Sequence, residues 1–226
     1  SEHAYWYFQS GYEPTESDLQ AAAQTFEAAI YPVVTAAFGS EWSPGVDNDT
    51  RMTILHSPLR GGVAGYYSAS DEYPKAIYPF SNEREIFYMS TSGFVGSPTY
   101  LGTLAHELQH VVHFIADATE ETWINEGLST LAEEVVTLQS NWPLFFSENT
   151  NVQLTTWSLD PRENLPHYAA AYLFMKYLQQ HYEDVSEPGT LKSLILEDAD
   201  GIKGINRYLS AQGYNVDFVQ VFRDWV

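Results

Sequence analysis

The chain changes character at Ser97-Pro98. Upstream, the clearest signals are short runs rich in β-branched and aromatic residues: Tyr5-Trp6-Tyr7-Phe8, Arg51 to His56, Gly62 to Ser68 and Glu85-Ile86-Phe87-Tyr88-Met89. Each reads as a strand. From Thr99 onward, apolar residues recur three and four apart, the spacing of helices that bury one face. Strands first and helices later describe an α+β arrangement.

One helix interrupts the strand-forming part, from Thr15 to Gly39. Thr15 or Ser17 caps it, Leu19, Ala22, Phe26, Ile30 and Val33 supply its apolar positions, and Gly39 stops it. Pro32 inside this pattern predicts a kink. In the second half Leu101, Leu104, Ala105, Leu108 and Val112 mark a helix at about Pro98–Ala116, and Trp123 to Leu138 a second. Asn141 to Arg162 is aromatic-rich and reads as loop. Helices follow at about Asn164–Tyr182, Thr190–Glu197, Ile202–Gln212 and Val216–Trp225. No repeat or linker cuts the chain. The expectation is one domain over 1-226: a sheet-bearing half (1-118), a helical half (119-226), and a cleft between them.

Composition narrows the functions available. The 226 residues are 44% hydrophobic, which rules out a disordered acidic tail. Thirty acidic against ten basic residues exclude nucleic acid as a partner and argue against docking on anionic membranes. No apolar run reaches the roughly 18 residues that span a bilayer. With no cysteine, disulfides, thiol catalysis and thiolate ligands are excluded, so any metal must be held by His, Asp, Glu or backbone oxygens. Ser1-Glu2-His3-Ala4 lacks the basic and apolar regions of a signal peptide, so an exported form would already have lost one.

The first long helix of the second half carries His106-Glu107-Leu108-Gln109-His110, an H-E-x-x-H pattern. Histidines at i and i+4 share a face, roughly 40° apart and about 6 Å along the axis, so both imidazoles reach one zinc ion. Glu107 between them can reach a water on the same metal as a general base. Fifteen residues separate His110 from Glu126 in Trp123-Ile124-Asn125-Glu126-Gly127-Leu128. A turn through Asp117-Ala118-Thr119 and a returning helix bring Glu126 to the metal. Ile124, Leu128, Leu131 and Val135 form the apolar stripe of that helix, while Glu126, Thr130 and Glu133 lie on another face.

These residues resemble the gluzincin branch of the zincin metallopeptidases. Trp123-Ile-Asn-Glu-Gly is similar to the W-L-N-E-G stretch of aminopeptidase-N-like enzymes. Together with Leu104-Ala-His-Glu-Leu-Gln-His, it looks closer to hyicolysin-like and immune-inhibitor-A-like secreted bacterial peptidases. The resemblance implies a zincin-like fold, Zn²⁺ held by His106, His110 and Glu126, Glu107 as the base, and secretion. It implies a polypeptide substrate, cleaved internally. Its mechanism also asks for a donor to the oxyanion. Tyr168 is similarly placed to a tyrosine of aminopeptidase-N-like enzymes, His167 to the histidine of thermolysin-like ones, and Tyr172, one turn on, reads as packing. The chain departs from the pattern at Thr130, where thermolysin-like enzymes carry an aspartate, and lacks a G-A-M-E-N-like segment. The alternative function is a non-catalytic, zinc-containing binding domain of a larger secreted protein.

Other residues compete for roles. His113 lies a further turn along, too far for the same ion. Glu120 and Glu121 read as first-turn acids after a Thr119 cap, and Asp117 as a turn residue that could alternatively orient a zinc histidine. Asp47-Asn48-Asp49 and Asp198-Ala199-Asp200-Gly201 resemble calcium loops but fit turn chemistry better. Tyr66, Tyr67, Tyr73 and Tyr78 read as packing. Gly61-Gly62-Val63-Ala64-Gly65-Tyr66 is either an edge for an added peptide strand or an ordinary turn.

Overall fold

The computed structural model describes residues 1–158 and 163–226, so Arg162 lies outside the described residues. Among the described residues four strands, β1 (Ala4–Phe8), β2 (Met52–Ser57), β3 (Gly65–Tyr67) and β4 (Ile86–Ser90), form one sheet in the order β1-β2-β4-β3. β1, β2 and β4 run parallel, while β3 pairs antiparallel with β4 as an edge. The parallel β1–β2 pair needs a crossover, which the early helix provides.

That helix is α1 (Glu16–Thr25) and α2 (Tyr31–Phe38), joined by a π-helical turn at Phe26–Ile30. Thr15 caps it, its hydroxyl accepting from Asp18 N–H at 3.2 Å, and Gly39 ends it at φ 111°. The interruption expected from Pro32 takes the form of the wider π turn. Pro32 lacks an N–H and crowds the carbonyl four residues back, and the Tyr31 N–H reaches five residues back to Phe26.

The strand read over Gly62 to Ser68 shrinks to Gly65–Tyr67. Gly61 and Gly62 sit at φ 75° and 77° in a single 3₁₀ turn, a left-handed pair that cannot extend a strand.

α3 (Pro98–Ala116) begins where the sequence places it. Ser97 accepts from Tyr100 N–H, and Pro98 occupies the first turn. α4 (Thr122–Thr137) returns against α3. α5 (Trp142–Glu148) corrects the reading of Asn141 to Arg162 as loop: Pro143 in its first turn favours a helical start, and seven residues are too few to display a period. α6 (Leu165–His181), α7 (Lys192–Ile195), α8 (Gly201–Ala211) and α9 (Phe218–Trp225) follow, α7 being one turn where a longer helix was expected.

A continuous apolar core joins Ile54 and Phe87 of the sheet to Leu104 and Leu108 of α3, Leu128 of α4, and Phe174 and Met175 of α6. A Cβ at Gly127 would lie 2.9 Å from the Ala171 carbonyl, so this glycine lets α4 cross α6 closely. Among the described residues, no helix is long and apolar enough to cross a membrane.

Candidate metal centre

The connection between α3 and α4 sets the site. Asp117 Oδ1 accepts from the backbone N–H and hydroxyl of Thr119, closing a tight turn at 2.9 and 3.0 Å. Contrary to the expectation of first-turn acids, α4 starts at Thr122 with Glu121 as its N-cap. Glu120 accepts from Gly201 N–H at the start of α8, and Glu121 from the Trp123 indole. These carboxylates tie the turn to α8 and to α4's own first aromatic, so their role is tertiary.

The turn brings Glu126 over the two motif histidines. Its Oε2 lies 3.3 Å from His106 Nε2 and 3.5 Å from His110 Nε2, and one donor atom from each of the three residues falls within 4.8 Å of the others. The far side of each imidazole is anchored. His106 Nδ1 lies 2.8 Å from Glu133 Oε1, and His110 Nδ1 lies 3.0 Å from Ser129 Oγ. In the tautomers with a proton on each Nδ1, those contacts are satisfied and both Nε2 lone pairs face a carboxylate oxygen.

A cation between these three donor atoms would satisfy all of them at once. Oε2 of Glu126 and Oε2 of Glu107 are both buried without a hydrogen-bond partner. Two imidazoles and a carboxylate, with outer nitrogens fixed, are the donor set that suits zinc. The site's charges show the same pull. Burial works against charge on His106, but the Glu126 and Glu133 carboxylates outweigh it and raise its pKa well above the ordinary value. Burial likewise opposes ionisation of Glu126, and the two imidazoles outweigh it, holding the carboxyl below the usual range.

Glu107 is 4% exposed and lines a cavity of about 380 Å³ with Gly65, Tyr66, Tyr67, Asn125 and Tyr168. Burial pushes its carboxyl up to about 7. A Cβ on Gly65 would stand 2.7 Å from Thr103 Cγ2 and 2.9 Å from Glu107 Oε1. Only glycine therefore lets edge strand β3 pass this close to the glutamate, which accounts for one residue of the Gly61–Tyr66 run. The preceding glycines are turn.

Tyr66 and Tyr67, read as packing, both line the cavity. Tyr67 stacks on His110 with ring centroids 6.3 Å apart and donates its hydroxyl to Glu72. Tyr73 and Tyr78 do pack, edge-on against Phe114 and Phe80. Of the two candidate oxyanion donors, the structure brings only Tyr168 to the site. It lines the cavity with its ring 6.4 Å from His106, and burial together with the nearby Glu126 and Glu107 charges pushes its hydroxyl pKa above the ordinary range. His167 lies beside Trp157, 5.9 Å between centroids, and is not among the cavity's lining residues.

The remaining candidates lie elsewhere. His113 is 1% exposed, outside the cluster, its ring pushed down to about 3 by burial. Tyr172 packs in the core and donates to Glu134. Asp47 accepts from Asp49 N–H in a local turn, while Asp198 pairs with Arg207 and Asp200 accepts from Thr119.

Glu133 and Ser129 were not singled out as partners of the ligands. The signal existed: Glu133 lies two turns beyond Glu126 on the same face. Its carboxylate meets His106 Nδ1 at 2.8 Å and so can orient that ring. Neither a family model nor a curated protein matches the chain. The resemblance to gluzincins therefore rests on the motif residues of the sequence.

Proposed function

We propose that the protein is a zinc-dependent peptidase of the gluzincin type, a single zincin-like domain over 1-226 that acts outside the cell. One observation carries the reading: His106, His110 and Glu126 converge on a common point with their outer contacts satisfied, and Glu107 stands beside them with an unpartnered buried oxygen. A purely structural zinc site needs ligands but no base, so Glu107 favours catalysis over the binding-domain alternative.

The three residues would hold the metal. When bound, it supplies Lewis-acid polarisation of a carbonyl and lowers the pKa of water beside it. Glu107, poised near neutrality by burial, takes a proton from the attacking water and later delivers one to the leaving amine. The Tyr168 hydroxyl donates to the oxyanion that attack creates. An extended polypeptide added to the free edge of β3 would run across the cavity, which supports the reading of internal cleavage.

The test is digestion of casein and a peptide library with and without a zinc chelator, products mapped by mass spectrometry. Chelator-sensitive cleavage at internal bonds is expected. A zinc-loaded protein that cleaves nothing would overturn the peptidase reading in favour of a binding domain.

A further inference from the structure

Glu133 uses its two carboxylate oxygens in different directions. Oε1 meets His106 Nδ1 at 2.8 Å, and Oε2 accepts the Trp142 indole N–H at 3.1 Å. A glutamate side chain has three free torsions, so one hydrogen bond leaves its carboxylate plane loosely set. A second donor on the far oxygen fixes it. The donor is itself held by the fold: Trp142 is the first residue of α5, and Pro143 after it restrains the backbone there.

The same indole meets the other side of the cavity. Its ring stacks on Tyr168 with centroids 5.6 Å apart and planes 26° apart, and Trp157 meets Tyr168 edge-on at 4.8 Å. One side chain therefore touches both the residue that orients His106 and the residue whose hydroxyl faces the cavity. We infer that Trp142 is a positioning residue for the reaction proposed above, on which this inference rests: its N–H fixes His106 through Glu133, and its ring face fixes Tyr168.

The rival role is simple packing of α5 against α6. Trp142→Phe separates the two, because it keeps an aromatic ring beside Tyr168 while removing the N–H together with the five-membered ring that carries it. A positioning role predicts a melting temperature nearly unchanged, kcat roughly 10-fold lower with KM little altered, and a zinc dissociation constant roughly 10-fold higher, the low end for an outer partner of a metal ligand. The visible absorption of the cobalt-substituted protein should shift as the ligand field changes. Combined with Glu133→Gln, Trp142→Phe should add no further loss, since both act through one carboxylate. In the wild type, the Trp142 indole proton resonance should move on adding zinc.

A folded Trp142→Phe protein with wild-type kcat and zinc affinity overturns the inference, as do additive losses in the double variant. If Trp142→Phe fails to fold, an indole resonance indifferent to zinc overturns it. If the wild type hydrolyses no peptide, the peptidase reading fails, while zinc affinity and the cobalt spectrum still decide the link from Trp142 to His106.

Discussion

Among the described residues, two groups of three bring histidine and carboxylate donor atoms within 4.8 Å of one another, and they are built on opposite principles. At Glu2, His3 and Glu27 the groups satisfy each other. His3 Nδ1 lies 2.5 Å from Glu27 Oε2, the His3 backbone N–H donates to Glu27 Oε1 at 2.9 Å, and the imidazole stacks on Tyr31. Side-chain exposures of 32% and 20% leave that pair in contact with water. At His106, His110 and Glu126 the histidines are only 11% and 12% exposed, their outer nitrogens are taken, and the carboxylate oxygen between them has no hydrogen-bond partner. At the first, His3 and Glu27 partner each other directly; at the second, the Glu126 oxygen between two anchored imidazoles has no hydrogen-bond partner. What separates them is how the carboxylate is used: Glu27 is spent on His3, while the Glu126 oxygen lies between two imidazoles whose outer nitrogens are held by Glu133 and Ser129.

The contrast breaks most visibly at Glu107. Glu107→Gln keeps shape and removes the proton acceptor, so turnover on peptides should fall by about 10²–10⁴-fold while zinc stays bound. His3→Gln, at the other cluster, should leave turnover at the wild-type level. A Glu107→Gln protein that still cleaves at near wild-type rate contradicts the mechanism.

Next in size is the hydroxyl of Tyr168. Tyr168→Phe should lower kcat by about 10²–10³-fold, with zinc content and melting temperature unchanged. His167→Gln, which alters a residue outside the cavity lining, should have no comparable effect. Equal activity of both variants and wild type would remove α6 from the chemistry.

The outer contacts give smaller effects. Glu133→Gln should weaken zinc binding by roughly 10–100-fold in a metal-competition assay. Glu27→Gln should leave zinc binding untouched and change unfolding free energy by about 1 kcal/mol, the scale of one hydrogen bond in contact with water.

A separate effect, away from the metal site, concerns acid stability. His56 is buried and uncharged, its pKa pushed down by burial from 6.5 to about 4, with Nε2 against the Tyr100 hydroxyl and Nδ1 against the Tyr7 carbonyl. Between these values the unfolded chain takes up a proton that the folded protein refuses, so stability is lost as pH falls from 6.5 towards 4. His56→Gln should flatten that slope in denaturant titrations at several pH values. An unchanged slope would show that another group governs acid unfolding.

Much of this arrangement is legible in the chain before folding is considered. Ser97-Pro98 fixes the start of α3, the H-E-x-x-H spacing puts both histidines on one face, and the short turn after Ala116 obliges Glu126 to return. The parts that were missed depend on distances the chain cannot state. Glu133 shares a face with Glu126, yet its pairing with His106 requires the packing of α4 on α3. Trp142 sits in a seven-residue helix too short to show a period, and its value comes from reaching Glu133 and Tyr168 at once. β3 contracts because two successive glycines turn left-handed, a conformation that alternating hydrophobicity does not report. Tyr67 looks like any strand aromatic until β3 is seen to be the edge beside α3.

Zinc titration of the metal-stripped protein tests the central claim most directly. The wild type, Glu107→Gln and His3→Gln should each take up one zinc with similar affinity, because neither substitution touches a ligand. Glu126→Ala should lose most of that affinity. If Glu126→Ala binds one zinc as tightly as the wild type, or if His3→Gln abolishes binding, the metal is not held by His106, His110 and Glu126.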